Sequence, residues 1–355
     1  RRFALIPDHR LNVNSGPQKQ HLCFDILGMP SPERKRSVDK DFWDYNKAHP
    51  LSKLFEQYNE RNHLLRNYIR GTADDVWSDG KVHPDFLLFG TVTGRLSIRN
   101  PPMQTLPKWG TDPKHAKMVR KLIVPSRPGY VIIDADFSNL ELFIAHHYSQ
   151  DEGLLQALTE KNFHTATAAA IFQVPYDEVT GLMRFNSKFV TFGIAYGRSA
   201  WSLAQGELFE LTGGDERKAQ QYVNRFWSAY PRYKEVYDKW QRDAIDVGEL
   251  RTPLGRVRRW RLITKAMLNH IRNQAVNFPI QSLASDTCLG ALCRLTDRLP
   301  AEDLGNALFT VHDSIVAEVR EDRLEDAIKV IVHEMRNPAY ETTTPFKVDV
   351  DYGPT

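Results

Sequence analysis

The sequence contains little of what several protein classes depend on. Only 3 of its 355 residues are cysteines, and none forms a CxxC pair, so neither a disulfide framework nor a zinc site is predicted. No stretch approaches the ~18 apolar residues that span a bilayer, and the opening Arg1-Arg2-Phe3 does not resemble a signal peptide. These absences argue against a membrane partner. They predict buried free thiols, with Cys288 and Cys293 on a helix, in a reducing compartment.

The sequence also has little excess of positive or negative charge. Its 47 Lys and Arg residues are nearly balanced by 44 Asp and Glu, which leaves a net charge of +3. The distribution is more informative than the sum. Residues 251–272 contain seven Lys or Arg and no acidic residue, and residues 32–36 form a second basic cluster. Such patches suit a phosphate backbone, although solvated surface is the simpler interpretation of either patch alone. The candidate nucleic-acid contacts are Arg34, Lys35, Arg36, Arg256 and Arg258.

Hydrophobic spacing predicts a mixture of helices and short strands without an internal repeat. Apolar residues recur at helical spacing in residues 1–85, and a β-branched run at 131–133 predicts a buried strand. Apolar runs on both sides of residues 312–313 predict a β-hairpin. The other predictions are extended backbone at 86–108, mainly helices at 150–275, a helix at 324–335 and a last strand at 346–350. The fold class is therefore α+β, with helices on one face of a small sheet.

A first candidate site residue, Asp136, follows the predicted strand. A carboxylate at the end of a strand could bind Mg²⁺, which needs only one or two protein carboxylates beside substrate phosphates. Two alternatives remain open on spacing alone. Asp136 could cap a helix running from Ser138 to Ser149. Asp134 lies on the same strand face, so either aspartate could be the ligand.

A second motif places two cations and two aromatic residues four positions apart. On an α-helix each step of four drifts by only about 40°, so the four side chains form one stripe. The cations could bind a triphosphate, and the aromatic rings could pack against a sugar and a base. The alternative is an ordinary helix with a basic solvent edge and a buried aromatic edge, ending at Gly197. The stripe consists of Arg184, Lys188, Phe192 and Tyr196.

A third motif, His312-Asp313, stands at the turn of the predicted hairpin. One Asp at a turn means little, since Asp is a common turn former. Asp136 and Asp313 together, however, would supply the carboxylates of a two-metal site for phosphoryl or nucleotidyl transfer. Carboxylates, cations and stacking aromatic rings together predict an enzyme that handles a nucleoside triphosphate on a nucleic acid.

These segments resemble the motifs of DNA polymerase family A, the class of bacterial polymerase I and many phage replicative enzymes. Residues 136–141 resemble motif A, residues 184–197 resemble motif B and residues 311–313 resemble motif C. Further matches run in register from about residue 11 to the end. They include Thr93-Gly94-Arg95-Leu96-Ser97, Gln104-(1)-Leu106-Pro107, His164-Thr-Ala-Thr-Ala and Asn277-Phe-Pro-Ile-Gln281.

The resemblance implies a right-handed polymerase fold with a thumb at 1–85, a palm at 86–150 and 276–355, and fingers at 151–275. It implies a monomeric, template-directed DNA polymerase that adds dNTPs to a primer 3′-hydroxyl by two-metal nucleotidyl transfer and releases pyrophosphate. The implied partners are primer–template DNA and dNTPs, with two Mg²⁺ or Mn²⁺ ions, in replication or repair in a bacterial or phage-infected cytoplasm or an organelle. The family's 3′–5′ exonuclease domain would precede residue 1, so we expect a fragment that does not proofread.

The resemblance also implies a role for each site residue. It favours Asp136 over Asp134 as a metal ligand beside Asp313, and it makes Lys188 a candidate acid for the leaving pyrophosphate. Glu141 would exclude a ribose 2′-hydroxyl. The implied dNTP contacts are Arg184, Lys188, Phe192, Tyr196, His164, Asn139 and Glu141. The implied primer–template contacts are Arg95, Gln104, Asn277, Gln281 and His312.

Four positions depart from the family pattern. Ser314 follows Asp313 where a second acid is common, and Asn139 stands where Gln is usual. Phe143 replaces a usual Arg, and Phe185 follows Arg184 where a second Arg is common. Both metal-binding aspartates remain, so two-metal catalysis is expected to survive in a phage-like or divergent lineage.

Two other functions compete with this interpretation. A single-subunit RNA polymerase can also carry His-Asp-Ser in motif C, but Glu141 and Phe192 argue against it. A non-catalytic module that binds primer–template would be indicated by the loss of either Asp136 or Asp313, and both are present.

Overall fold

The computed structural model describes residues 11–31, 36–105, 119 and 121–354. Two predicted nucleic-acid contacts, Arg34 and Lys35, lie outside these residues. The described chain divides into two compact units. The first contains the described residues up to Pro84 together with Asn100–Pro102, and the second contains Asp85–Arg99 and the described residues from Met103 onward. The division into thumb, palm and fingers stays a prediction.

The first unit is built from short helices, which confirms the helical prediction for its described residues. Trp43 stacks on Phe55 with ring centroids 4.6 Å apart, and Phe42 packs edge-on against Trp43. Asp39 begins one helix by accepting a hydrogen bond from the Phe42 N–H at 3.1 Å. The helices are α1 (Gly16–Gln20), α2 (Lys40–Tyr45), α3 (Pro50–Leu64) and α4 (Gly71–Asp74), with π-helical turns at His21–Ile26 and Leu65–Arg70.

The second unit is organised around a four-stranded antiparallel sheet. Its strand order is β6-β7-β3-β8, and two small hairpins, β1-β2 and β4-β5, stand apart from it. The prediction that residues 150–275 are mainly helical is confirmed, and the β4-β5 hairpin is a short exception within them. The strands are β1 (Asp85–Leu87), β2 (Ser97–Arg99), β3 (Tyr130–Ser138), β4 (Glu249–Arg251), β5 (Val257–Arg259), β6 (Gly305–Val311), β7 (Ser314–Arg320) and β8 (Lys347–Gly353).

Helices cover one face of this sheet, as the α+β prediction expected. The long helix α13 continues through Pro279 and packs its apolar face behind the strands. None of the helices in the described residues has the length and hydropathy to cross a bilayer. The helices of this unit are α5 (Leu140–Ser149), α6 (Glu152–Thr159), α7 (Phe163–Phe172), α8 (Gly181–Ala195), α9 (Ala200–Gln205), α10 (Phe209–Thr212), α11 (Glu216–Ala229), α12 (Pro231–Asp246), α13 (Leu268–Ala301) and α14 (Leu324–Arg336).

Strand β3 has two chemically different faces because side chains alternate along a strand. Ile133, Ala135 and Phe137 are buried in the core of the unit. Asp136, on the opposite face, is exposed. The prediction that the strand ends near residue 133 was therefore wrong, and Asp136 lies inside β3 rather than after it.

The three thiols differ in their surroundings. All are free, but Cys23 and Cys288 are buried and Cys293 is exposed. The sequence prediction was right about the absence of disulfides and about the helix, since both later cysteines lie on α13. It was wrong in placing Cys293 in the core.

Candidate functional site

The two candidate metal ligands lie on adjoining backbone at one end of the sheet, where Asp136 is exposed. Asp136 pairs with Ser314 across β3 and β7, and Asp313 occupies the preceding turn. The Phe137 N–H donates a hydrogen bond to the Asp313 carbonyl oxygen at 3.2 Å. The alternative that Asp136 caps α5 was wrong, because the residue at the start of that helix is Asn139. Asp134 lies two residues before Asp136 on the same face of β3, opposite Val316 of β7.

A tight turn between β6 and β7 presents His312 and Asp313. His312 is exposed and has a left-handed backbone with a φ of 58°. The hydroxyl of the buried Ser314 donates to the Val311 carbonyl at 3.2 Å, and Thr310 donates to the Ser314 carbonyl at 2.7 Å. Ser314 therefore closes the turn at a position where the family commonly has a second acid.

Arg95 connects the turn to the first turn of α5. Its Nη2 lies 2.7 Å from Oε1 of Glu141 and 3.7 Å from Oδ1 of Asp313. Burial raises the pKa of the Glu141 carboxyl, the Arg95 charge lowers it, and the Asp313 charge raises it again. One guanidinium thus neutralises part of the charge of two carboxylates.

The donor atoms at this site suit a hard divalent cation. Carboxylate oxygens are the ligands that Mg²⁺ takes from proteins, and it leaves other positions for water and substrate phosphates. Within the described ranges, no three His, Cys, Asp or Glu side chains form a cage that could hold a metal by themselves. Asp136 and Asp313 fit a site that is completed by substrate.

Helix α8 presents the predicted stripe on its accessible side. Thr180 begins the helix by accepting a hydrogen bond from the Met183 N–H at 3.2 Å. Phe192 and Tyr196 are each 42% exposed, so the alternative of a buried aromatic edge was wrong. The helix ends at Ala195 with Tyr196 as its C-cap, close to the predicted end at Gly197, where φ is +72° and a Cβ would lie 2.8 Å from the Asn273 Cα.

The carboxyl-terminal end of α8 lies near the carboxylates. Burial raises the pKa of the Tyr196 hydroxyl, and the charge of Glu141 raises it further. The charges of Arg95 and Asp313 act on the same hydroxyl. Tyr196, Glu141, Arg95 and Asp313 therefore belong to one electrostatic group.

A second group, of cations, lies nearer the amino-terminal end of α8. Burial, with the charges of Lys188 and Arg184, lowers the pKa of His164 to about 4. The His164 ring centroid lies 5.8 Å from that of Phe192, and its Nδ1 has no hydrogen-bond partner among the described residues. The Asn162 side chain, which sequence reasoning missed, accepts from Arg184 Nε at 3.3 Å. Its only sequence signal is that Asn is a common N-cap for a helix such as α7.

The remaining predicted contacts are more scattered. Gln104 donates to the Leu96 carbonyl at 2.7 Å and so shapes the backbone after Arg95. Asn277 and Gln281 are half-buried, one turn apart on α13. Arg36 belongs to the first unit and pairs with Asp25 at 2.8 Å. In the second unit, Arg258 lies over the Trp260 ring and Arg256 pairs with Asp286.

Two departures from the family pattern have a visible packing context. Phe143 is fully buried and lies edge-on to Phe346 with ring centroids 6.1 Å apart. Phe185 is 55% exposed and packs edge-on against Phe189 at 4.8 Å. Asn139 is exposed and adopts a left-handed backbone with a φ of 54°, a conformation that Asn tolerates.

Comparisons with known proteins agree on one family. The family described as DNA polymerase family A matches residues 2–355. The DNA polymerase I of Geobacillus stearothermophilus is 32% identical over 365 residues, covering 100% of this chain and 41% of that protein. The thermostable DNA polymerase I of Thermus aquaticus is 31% identical, covering 97% and 42%. The chain therefore spans about two fifths of these relatives' length.

A solved structure extends the comparison to the fold. The polymerase domain of Pol1 from M. smegmatis, in complex with DNA primer–template and dNTP, superposes with a TM-score of 0.85 at 27% identity. The match covers 100% of this chain and 62% of that one. The fold expected from the sequence motifs is confirmed.

Proposed function

The chain belongs to DNA polymerase family A, and on that premise we propose that it is a template-directed DNA polymerase. It extends a primer 3′-hydroxyl with deoxynucleoside triphosphates and releases pyrophosphate. Primer–template DNA and dNTPs are its partners, and the bacterial relatives support a cytoplasmic enzyme.

One observation carries this proposal. Asp136 and Asp313, from distant parts of the sequence, lie on paired backbone at one end of the sheet. The same place holds the Arg95–Glu141 pair and lies within electrostatic range of Tyr196. Carboxylates for metals, a cation and an aromatic residue at one surface suit in-line nucleotidyl transfer.

Asp136 and Asp313 hold divalent cations in this proposal. When bound there, Mg²⁺ supplies Lewis-acid stabilisation of the attacking and leaving oxygens. Arg95 partly offsets the charges of Glu141 and Asp313. Glu141 occupies the space beside the sugar, so a ribose 2′-hydroxyl meets a side chain rather than a cavity.

The cation group on α8 binds the triphosphate. Arg184 and Lys188 supply positive charge, and the His164 side chain lies close enough for both charges to lower its pKa. Lys188 can also donate a proton to the leaving pyrophosphate. Phe192 packs against the incoming sugar, and Tyr196 supports the template side. Asn277, Gln281 and His312 contact the primer end, where minor-groove acceptors are common to all base pairs.

Primer extension on a short DNA template tests the proposal. We compare the parent chain with Asp313→Asn, which keeps the side-chain volume but removes the metal-binding charge, using dNTPs and rNTPs separately. Asp351→Asn is the matched control, because Asp351 lies on the same sheet face opposite Asp134. Binding of labelled primer–template is measured in parallel by fluorescence anisotropy.

We expect the parent chain to extend the primer with dNTPs. Asp313→Asn should lose nearly all of this activity, because it lacks a charge that binds the metal, and Asp351→Asn should change it little. Primer–template binding should persist in all three proteins. Extension with rNTPs at the dNTP rate would favour an RNA polymerase. Binding without any extension by the parent chain would favour a non-catalytic module.

The absence of proofreading from this segment remains part of the proposal. A primer with a mismatched 3′ end should stay at full length when no dNTP is present. Shortening of that primer by the purified chain would contradict it.

A further inference from the structure

Arg256 was a candidate phosphate contact, but its charge is already engaged. Its Nη2 lies 2.6 Å from Oδ1 of Asp286, and its Nε lies 3.3 Å from Oδ2. The Asp286 side chain is only 13% exposed. This two-pronged pair joins the β4-β5 region to the middle of α13, and Asp286 raises the pKa of Arg256. A neutralised guanidinium is a poor phosphate ligand.

The same guanidinium lies flat against Gly94. A Cβ on Gly94 would be 2.2 Å from the Arg256 Cζ, so a side chain at position 94 would displace the guanidinium from this place. Gly94 also has a φ of +81°, which glycine adopts readily. The hydroxyl of the buried Ser285, next to Asp286, donates to the Gly94 carbonyl at 3.0 Å. Gly94 is thus fixed on one side by Arg256 and on the other by Ser285.

Gly94 immediately precedes Arg95, the residue that joins Glu141 and Asp313. We propose that the Arg256–Asp286 pair is a positioning device that fixes the backbone at Gly94 and thereby aims Arg95 at the reaction site. This inference rests on the proposed polymerase function. Arg256 acts through Arg95 and does not itself contact substrate.

Removing the negative charge of Asp286 separates this role from phosphate binding. If Arg256 bound phosphate, Asp286→Asn would release its charge and tighten DNA binding without slowing the reaction. If Arg256 positions Arg95, the same variant loosens the Gly94 backbone and slows the chemical step, although DNA affinity changes little. The two roles therefore predict changes in different quantities.

The experiment uses Asp286→Asn and Arg256→Lys. The lysine keeps the charge but cannot make the two-pronged pair. The matched control is Arg294→Ala, because the Arg294–Glu334 pair is also 2.6 Å long, also involves α13 and has nearly the same exposure, 34% and 11% against 34% and 13%. We measure kcat and KM for dNTP, the Kd for primer–template, the thermal midpoint, and amide hydrogen exchange at residues 93–96.

In Asp286→Asn and Arg256→Lys we expect kcat to fall by about 10- to 100-fold, a size typical of small misplacements in a site. The KM and the DNA Kd should stay within about threefold, and exchange at residues 93–96 should rise at least tenfold. Arg294→Ala should keep the parent kcat and the parent exchange at 93–96, even if its thermal midpoint falls equally. This comparison separates positioning from a loss of stability.

Unchanged kcat and unchanged exchange in both variants would overturn the inference. So would tighter DNA binding by Asp286→Asn at the parent kcat. An inactive parent chain would count against the proposed function, and the exchange measurement, which needs no activity, would still decide whether the pair holds the Gly94 backbone.

Discussion

At the scale of single residues, Glu141 combines burial with a close cation. Its side chain is 17% exposed and 2.7 Å from Arg95, so it is a fixed obstacle rather than a mobile surface acid. In its proposed role as a sugar gate, Glu141 would act by occupying space, and its charge would matter mainly for holding it in place. The size of the side chain and its charge can therefore be tested separately.

Glu141→Ala should raise ribonucleotide use relative to deoxynucleotide use by about 10- to 100-fold, the range that one group in a pocket can discriminate. Glu141→Gln retains the volume and should keep most of the discrimination. Single-nucleotide incorporation of a dNTP and its matching rNTP gives both ratios. A parent-like ratio in the alanine variant would remove Glu141 from the role of sugar gate.

His164 should be neutral in the free protein at neutral pH, since its pKa is lowered to about 4. We expect an NMR pH titration of its imidazole to show no protonation until well below pH 6, and a nucleoside triphosphate to raise the pKa by adding negative charge. Lys188→Met should also raise it, because the Lys188 charge is one cause of the lowering. An ordinary titration near 6.5 in the free protein would contradict this.

The same lowering fixes the sign of a stability effect. The unfolded chain would take up the His164 proton near pH 6.5 and the folded chain only near 4. The contribution of His164 to the free energy of unfolding is therefore fully present above about pH 6.5 and is lost as the pH falls toward 4.

At the scale of elements, helix α8 is proposed to contact substrate only through the side that carries Phe192. Phe192→Tyr adds a hydroxyl on that side, where it can replace the contact that a dideoxynucleotide lacks. We expect the parent chain to discriminate against dideoxynucleotides and the variant to discriminate at least tenfold less. Competition between ddNTP and dNTP in chain termination measures this.

Phe185→Tyr is the matched control, because Phe185 is exposed on the same helix but packs against Phe189. It should terminate chains as the parent does. Equal use of both nucleotide types by the parent chain would refute the prediction for Phe192.

Some helices and strands were predictable from the sequence and others were not. The hairpin around His312-Asp313 was predictable from the apolar runs on both sides of it, and the helix at 324–336 from its apolar periodicity. The helix at 181–195 was predictable from the four-residue spacing of its cations and aromatic residues. Strand β3 was predicted too short, since its second half alternates Asp with buried Ala and Phe and contains no apolar run. The β4-β5 hairpin was missed because its strands have three residues each.

The residues of the candidate site were predictable from the sequence, but their arrangement in space was not. Asp136, Asp313 and the α8 stripe were found because each stands in a short motif of recognisable spacing. Their mutual arrangement, including the Arg95 link to both carboxylates, depends on strand register and could not be read from spacing. The Arg256–Asp286 pair joins residues 30 positions apart on unlike elements, and no periodicity signals it.

At the scale of the whole molecule, the small net charge of +3 hides an uneven distribution of free cations. Within the basic stretch 251–272, Arg251 and Arg259 lie near Glu249, and Arg256 pairs with Asp286. Among the described residues, the other four cations of this stretch have no acidic partner within ion-pair distance: Arg258, Arg261, Lys265 and Arg272. We therefore expect these unpaired cations to contribute more to DNA binding than the cations that already face a carboxylate.

Binding of primer–template should weaken steeply with salt, with log Kd rising linearly against log salt concentration. Lys265→Gln should reduce the slope by about 0.9, the value for one lost phosphate contact. Arg259→Gln should leave the slope nearly unchanged, because its charge already faces Glu249. Anisotropy titrations at several salt concentrations give the slopes, and a flat response in the parent chain would count against the basic stretch as a DNA contact.

The uneven exposure of the cysteines has a practical consequence for spectroscopy. Burial raises the pKa of Cys23 to about 11 and that of Cys288 to about 12, so neither forms much thiolate at neutral pH. A maleimide dye should therefore attach selectively to the native Cys293, without any substitution. Cys293 lines a cavity of about 450 Å³ together with Arg256 and Asp286. The emission of such a dye would report in real time on the contact that aims Arg95.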